Sequence, residues 1–243
     1  MEAKTHGITK EVTIHSHSLG EEVEVLLYFP STYSPLYKYT VLIAQDGRDY
    51  FNLGRIAKTT EELLTEREID NTIIVGIPYI DVKDRYEKYH PNGSKHNKYQ
   101  RFLAEELVPY LDSELPTYQI GMGRALIGDS LAGTASLLTA LSYPNTFGKV
   151  ILQSPYVNDH VKKEVEQFSQ PHLLSIYHVV GSKETAVETT NGKVKDFLAP
   201  NRELNALMKN MSFTYFYDEF DGDHTWTHWQ PDLHRALKMS LKL

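Results

Sequence analysis

Leu126-Ile127-Gly128-Asp129-Ser130-Leu131-Ala132-Gly133 runs an apolar strand into one serine flanked by small residues and then into a helix-forming stretch. That is the pattern of a nucleophile elbow. The serine of such a turn sits in a strained backbone conformation, so the residues two before and two after it must be small, as Gly128 and Ala132 are. The plainer reading makes Ser130 an ordinary helix N-cap, which also suits a strand-to-helix turn. The rest of the chain decides between them, by supplying or lacking a base in register.

Around the elbow, Val41-Leu42-Ile43-Ala44, Ile73-Ile74-Val75, Ala125-Leu126-Ile127, Val150-Ile151-Leu152 and Ile176 to Val180 are short, continuous and β-branched. Such runs are strands covered on both faces. Val12 and Ile14 alternate with polar residues, as do Val23 and Val25, which predicts two half-buried antiparallel strands. Helical stretches run from Leu53 to Arg67, from Lys98 to Leu115 and from Leu131 to Tyr143. A last strand near Phe213 to Tyr217 and a terminal helix from about Pro231 to Leu243 complete the order. The alternation predicts an α/β fold: a mostly parallel central sheet, helices on both faces, and one domain over residues 1–243. Two long stretches, Tyr79 to Lys98 and Gly181 to Pro200, fit no regular element. Both follow the C-terminal ends of predicted parallel strands, where open α/β sheets bind ligands.

A serine hydroxyl is a poor nucleophile until a base takes its proton. His224, in Asp221-Gly222-Asp223-His224-Thr225-Trp226, lies in a polar loop after the last strand, where an α/β-hydrolase keeps its base. An acid that orients the imidazole should lie between them, just past Val180, and Glu184 and Asp196 both qualify. An oxyanion hole takes one N–H from the residue after the serine and one from the loop after an earlier strand, positions that Leu131 and Gly47 fit, with Arg48 as the alternative to Gly47.

With these residues in view, the chain resembles the esterase D family of serine esterases, which includes enterochelin esterases, S-formylglutathione hydrolase, feruloyl esterases and mycolyltransferases. The resemblance rests on Asp46-Gly47, on Phe102 to Tyr110, on the elbow, on Tyr143-Pro144 with Phe147, and on Gly222 to Trp229, which is similar to the family's G-x-H-x-W-x-x-W pattern with Asp223 where a second glycine is common. It implies an α/β-hydrolase in which Ser130 is the nucleophile, His224 the base and Gly47 an oxyanion donor. The family's Gly-x-x-Asp or Gly-x-x-Glu turn corresponds to Gly181-Ser182-Lys183-Glu184, which makes Glu184 the first choice of acid and Asp196, beyond an apparent insertion, the reserve.

Plainer readings stand beside these. His224 and His228 could bind a metal on one helical face, but Asp-Gly-Asp argues for a loop. His15 and His17 share a strand face, better explained by a solvated edge. His178 belongs to a buried strand and should satisfy a core hydrogen bond. Trp226 and Trp229 should pack the base loop, with Trp226 also a candidate substrate contact. Arg48, Tyr79 and Arg85 are further candidates for substrate binding, and Tyr79, Arg85, Tyr86 and Tyr89 form either a lid or a surface loop.

Composition narrows the partners. The 243 residues are 41% hydrophobic, enough for one sizeable core, and the net charge of -7 opposes binding to nucleic acid or acidic membrane. The chain has no cysteine, so neither disulfides nor thiolate chemistry arise, and a cytoplasmic location is expected. Met1 to His6 precede no apolar signal core, and no segment reaches the roughly 18 apolar residues of a membrane span. The expected function is hydrolysis of a small-molecule carboxylic ester, of siderophore type or otherwise aromatic, with no cofactor and no metal. Acyl transfer through the same acyl-enzyme, or a non-catalytic binding protein on the same fold, are the alternatives. Nothing in the residues specifies an oligomeric state.

Overall fold

In the computed structural model, which describes residues 7–190 and 192–242, every apolar run forms a strand. The expectations for Met1 to His6 and for the Leu243 end of the terminal helix lie outside the described residues. β1 (Ile8–Ser16) and β2 (Glu21–Phe29) pair antiparallel with Val12 opposite Val25. β3 (Thr40–Gln45), β4 (Thr72–Ile77), β5 (Arg124–Asp129), β6 (Lys149–Gln153) and β7 (Ser175–Gly181) follow, the first four buried at every position. After a small hairpin of β8 (Val187–Glu188) and β9 (Val194–Lys195) comes β10 (Thr214–Phe220). The main sheet has the order β1-β2-β4-β3-β5-β6-β7-β10, parallel from β4 to β10. This is an α/β-hydrolase fold.

Burial on both faces explains the continuous apolar runs. Val41 and Ile43 of β3 face one cluster, and Leu42 and Ala44 face another. The first cluster packs on α3 (Val82–Tyr89), α4 (His96–Arg101), α5 (Val108–Glu114), α6 (Ser130–Ser142), α7 (Asp159–Glu166) and α8 (Leu198–Lys209); the second packs on α1 (Gly47–Asn52), α2 (Ile56–Thr65) and α9 (Trp226–Ser240). Each fully buried Leu or Ile contributes about 1.5–3 kcal/mol relative to exposure. The loops after β3, β5, β6, β7 and β10 therefore converge on one rim of a rigid sheet.

Several element boundaries differ from the sequence reading. The helix expected from Leu53 to Arg67 begins later, as α2 at Ile56, because Arg55 takes a left-handed conformation (φ 54°) just before it, and α1, which lies wholly before Leu53, was not expected. α9 begins at Trp226, so Pro231 lies inside it rather than at its start. The Tyr79 to Lys98 stretch, expected to be irregular, holds all of α3 and the start of α4. Asp81 accepts the Asp84 N–H at 2.7 Å, and Asp84 returns the bond by accepting from the Ile80 N–H at 3.1 Å, which starts α3 without an apolar signal. The Gly181 to Pro200 stretch likewise contains β8, β9 and the first turn of α8.

Candidate active site

The elbow is built as its small residues require. Ser130 has φ 49°, and a Cβ added at Gly128 would stand 2.3 Å from the Ala132 carbonyl carbon, so only glycine fits there. The loop after β6 holds the turn from above: the Tyr156 N–H donates to the Ser130 carbonyl at 3.0 Å, and the Thr134 hydroxyl donates to the Tyr156 carbonyl at 2.6 Å.

His224 lies between β10 and α9, and its Nδ1 meets Glu184 Oε2 at 2.6 Å. Glu184 is fully buried at the turn after β7, where its Oε1 accepts from the Gly181 N–H at 2.8 Å and the Ser154 hydroxyl at 2.6 Å. The Trp229 indole N–H in turn donates to Ser154 at 3.0 Å. A buried carboxylate so completely bonded has one orientation. Ser182 and Lys183 donate their N–H groups to Phe220 and Gly222, tying the acid's turn to the base's loop. The imidazole is held between the Phe197 ring, 4.2 Å away centre to centre, and the edge of Trp229 at 4.8 Å. With Nδ1 occupied, Nε2 is the nitrogen left to take a proton. Asp196, the reserve acid, is exposed and accepts from the Ala199 N–H at 3.0 Å, so the structure brings Glu184 and not Asp196 to the imidazole.

At the end of β3, Asp46 takes φ 53° and Gly47 opens α1 against β4, where a Cβ would lie 2.5 Å from Gly76. The N–H groups of Asp49 and Tyr50 turn back to the Asp46 carbonyl, leaving those of Gly47 and Arg48 in the first turn of the helix. Asp46 is clamped by Arg85 of α3, through Nε at 2.9 Å and Nη2 at 2.6 Å. Burial opposes the guanidinium's charge, but the Asp46 carboxylate outweighs it and holds the Arg85 pKa above its ordinary value. Asp129, beside the serine, is buried with Oδ1 lacking a hydrogen bond among the described residues; burial and the Asp46 charge push its carboxyl up to about 8.

Ser130, Leu131 and His224 line one cleft of about 700 Å³, together with Arg85 and Tyr86 of α3, with Tyr156 and Phe197, and with the β8–β9 hairpin. An oriented imidazole on a cleft that a strained serine and Leu131 also line can activate a hydroxyl.

Residues 16–239 match the family described as "Putative esterase". The chain belongs to this esterase family. It is 56% identical over 239 residues to the uncharacterized protein YjcH of Bacillus subtilis, covering 98% of this chain and all of that one. It is 28% identical over 140 residues to the iron(III) salmochelin esterase of Escherichia coli, a match of 56% of this chain and 32% of the relative. Among solved structures, a ferulic acid esterase superposes with a TM-score of 0.78 at 16% identity, covering 98% of this chain and 99% of the other. The enterobactin esterase of Shigella flexneri superposes with a TM-score of 0.82 at 18% identity, over 96% of this chain and 58% of that one. Family membership makes the protein a carboxylic ester hydrolase.

Not every candidate in the esterase reaches the cleft. Arg48 ion-pairs with Glu24 and lines a separate depression with Tyr79, whose hydroxyl donates to Asp49 at 3.3 Å. Trp226 packs edge-on to Tyr50 at 4.8 Å and against Gly54. Of the proposed substrate contacts, the structure brings Arg85 alone to the cleft, already committed to Asp46. His178 is fully buried between the Tyr215 hydroxyl and Asn201, the core role expected of it. His228 pairs with Asp223 at 3.3 Å and His15 with Glu22 at 2.8 Å; no group of three or more potential metal ligands occurs among the described residues. Ser154, Tyr156 and Phe197 were missed by the sequence reading. The signal for the first two was their place just past a parallel strand; Phe197 carried none.

Proposed function

We propose that the esterase works through an acyl-enzyme. Ser130 Oγ attacks the ester carbonyl as His224 Nε2 takes its proton, and the N–H groups of Gly47 and Leu131 bind the oxyanion. Glu184 holds the imidazole in the tautomer that leaves Nε2 unprotonated and stabilises the imidazolium that forms. The imidazolium then protonates the leaving alcohol, and water, activated by the same nitrogen, releases the acid. The observation that carries this reading is the 2.6 Å bond from His224 Nδ1 to a buried, fully bonded Glu184, on a cleft that Ser130 also lines.

The substrate class we infer is an ester with an aromatic acid component. Tyr86, Tyr156 and Phe197 line the cleft, and the relatives named above are esterases of ferulic acid, enterobactin and salmochelin. The absence of cysteine supports a reducing, cytoplasmic setting. The test is steady-state hydrolysis of 4-nitrophenyl acyl esters of graded length beside a feruloyl and a catecholate ester. Wild type should turn over at least one class, aromatic acyl esters best, and Ser130→Ala should lose on the order of 10⁶ in kcat. Near-normal turnover by Ser130→Ala would refute the mechanism; a preference for plain aliphatic esters would refute the substrate class.

A further inference from the structure

The cleft differs in charge from the molecule that contains it. The chain's net charge is -7, yet the cleft's charged side chains are Lys83, Arg85, Lys193 and Lys195 against Glu188. Arg85 is neutralised by Asp46. Lys195, on the β8–β9 hairpin, is not so matched. Its ammonium donates to the Tyr156 hydroxyl at 2.9 Å and lies 4.1 Å from the centre of that ring, and among the described residues no carboxylate pairs with it. An ammonium carries three donors, and one phenol with its π-face answers only part of that demand. The position is fixed relative to the elbow, because Tyr156 is the residue whose N–H bonds the Ser130 carbonyl.

A second donor faces the same ring. His90, at the end of α3, lies 5.6 Å from Tyr156 and stacks on Tyr86 at 4.5 Å. Its Nδ1 accepts from the Asn92 N–H at 3.1 Å, so the neutral ring carries its proton on Nε2. Burial and then the nearby Lys195 charge lower its pKa, which keeps it a neutral donor at pH 7. The aromatic surface beside the serine is thus bordered by an ammonium and an imidazole N–H, both donors, with no carboxylate paired to the cation among the described residues.

We infer that the esterase selects esters carrying a carboxylate on the substituent that lies along Tyr156, with Lys195 as its counter-ion and His90 as a second donor. This rests on the hydrolytic reading above and adds to it a charge requirement. A carboxylate there gives Lys195 a charge-assisted hydrogen bond in a partly enclosed site, whereas a neutral ester offers it no counter-charge. The hairpin is the apparent insertion between Glu184 and Phe197, so the selectivity sits on a segment outside the elbow and the base loop.

Two measurements test it. The first compares kcat/KM for mono-4-nitrophenyl succinate, glutarate and adipate with that for 4-nitrophenyl butyrate, valerate and hexanoate. Wild type should favour the anionic member of at least one pair by about tenfold; Lys195→Gln should abolish that ratio and Lys195→Arg should keep most of it. A ratio near one in wild type, or one unchanged in Lys195→Gln, overturns the inference. The second measurement does not need turnover: Ser130→Ala is titrated with monomethyl glutarate and with dimethyl glutarate. Preferential binding of the monoanion, lost in Ser130→Ala/Lys195→Gln, supports the charge site even if no ester is hydrolysed, which would then count against the hydrolytic reading alone. Equal binding of the two esters overturns the charge site.

Discussion

Ser130 and Glu184 show what single residues can and cannot disclose. The elbow was legible because its constraint is local: at φ 49° the serine's turn brings residues 128 and 132 together, and the 2.3 Å that a Cβ at Gly128 would leave to Ala132 is written as a small residue in the sequence. Gly128→Ala should therefore unfold the elbow or lose most activity, read by circular dichroism beside ester turnover. Glu184 was narrowed to two candidates by position, since any acid just past β7 met the requirement; the choice depends on depth. Glu184 is fully buried on His224, whereas Asp196 is exposed and bonded to its own helix. Glu184→Gln should lower kcat by on the order of 10⁴, as removal of an orienting acid does in a serine protease, and Asp196→Asn should change it by less than about twofold. Equal effects in the two variants would contradict this assignment. Ser154, which fixes Glu184, was illegible because its partners lie 30 and 75 residues away.

At the scale of elements, α3 accounts for most of what the sequence concealed. Its buried residues include Asp84 and Lys88, so the apolar periodicity that marks an amphipathic helix is absent. Lys88 instead pairs with Asp84 at 2.9 Å and Glu21 of β2 at 2.8 Å, an interior ion pair in place of hydrophobic packing. Lys95 also pairs with Glu21 and, at 3.8 Å, with Asp84, so Lys88→Ala leaves the two carboxylates one cation instead of two and should cost about 1–3 kcal/mol in denaturant unfolding, against well under that for exposed Lys58→Ala. The same helix carries Arg85, whose clamp on Asp46 sets the turn that begins α1. Arg85→Gln should loosen Gly47 and lower kcat, by at most about 10²–10³, the value of one oxyanion donor, with a smaller change in KM. A pure KM effect would show Arg85 to be a substrate contact instead.

Across the whole molecule, the alternation of strands and helices was legible because burial on both faces writes continuous apolar runs into β3 to β7. α7 was not, because Val161 and Val165 are its only apolar residues, and α8 was passed over although Leu204, Leu207 and Met208 hold a helical spacing. His178 joins three of these elements, bonding Tyr215 of β10 at 2.8 Å and Asn201 of α8 at 2.7 Å from β7. Burial lowers its pKa from 6.5 to about 4. The unfolded chain then binds a proton over that interval that the folded protein refuses, so stability is complete above about pH 6.5 and falls as the pH drops toward 4. The loss from this one group is on the order of 3 kcal/mol. Urea midpoints measured between pH 7 and 4.5 should fall, and His178→Asn, though less stable at pH 7, should fall less steeply; parallel slopes would assign the acid sensitivity elsewhere.

The central claim is that one hydroxyl, at position 130, is made nucleophilic by the imidazole at 224. It is tested most directly by incubating the protein with a fluorophosphonate and locating the adduct by peptide mass spectrometry. The account predicts a single adduct on Ser130, absent in Ser130→Ala and formed far more slowly in His224→Ala. No adduct in the folded wild type, or one formed at the same rate without His224, would contradict it.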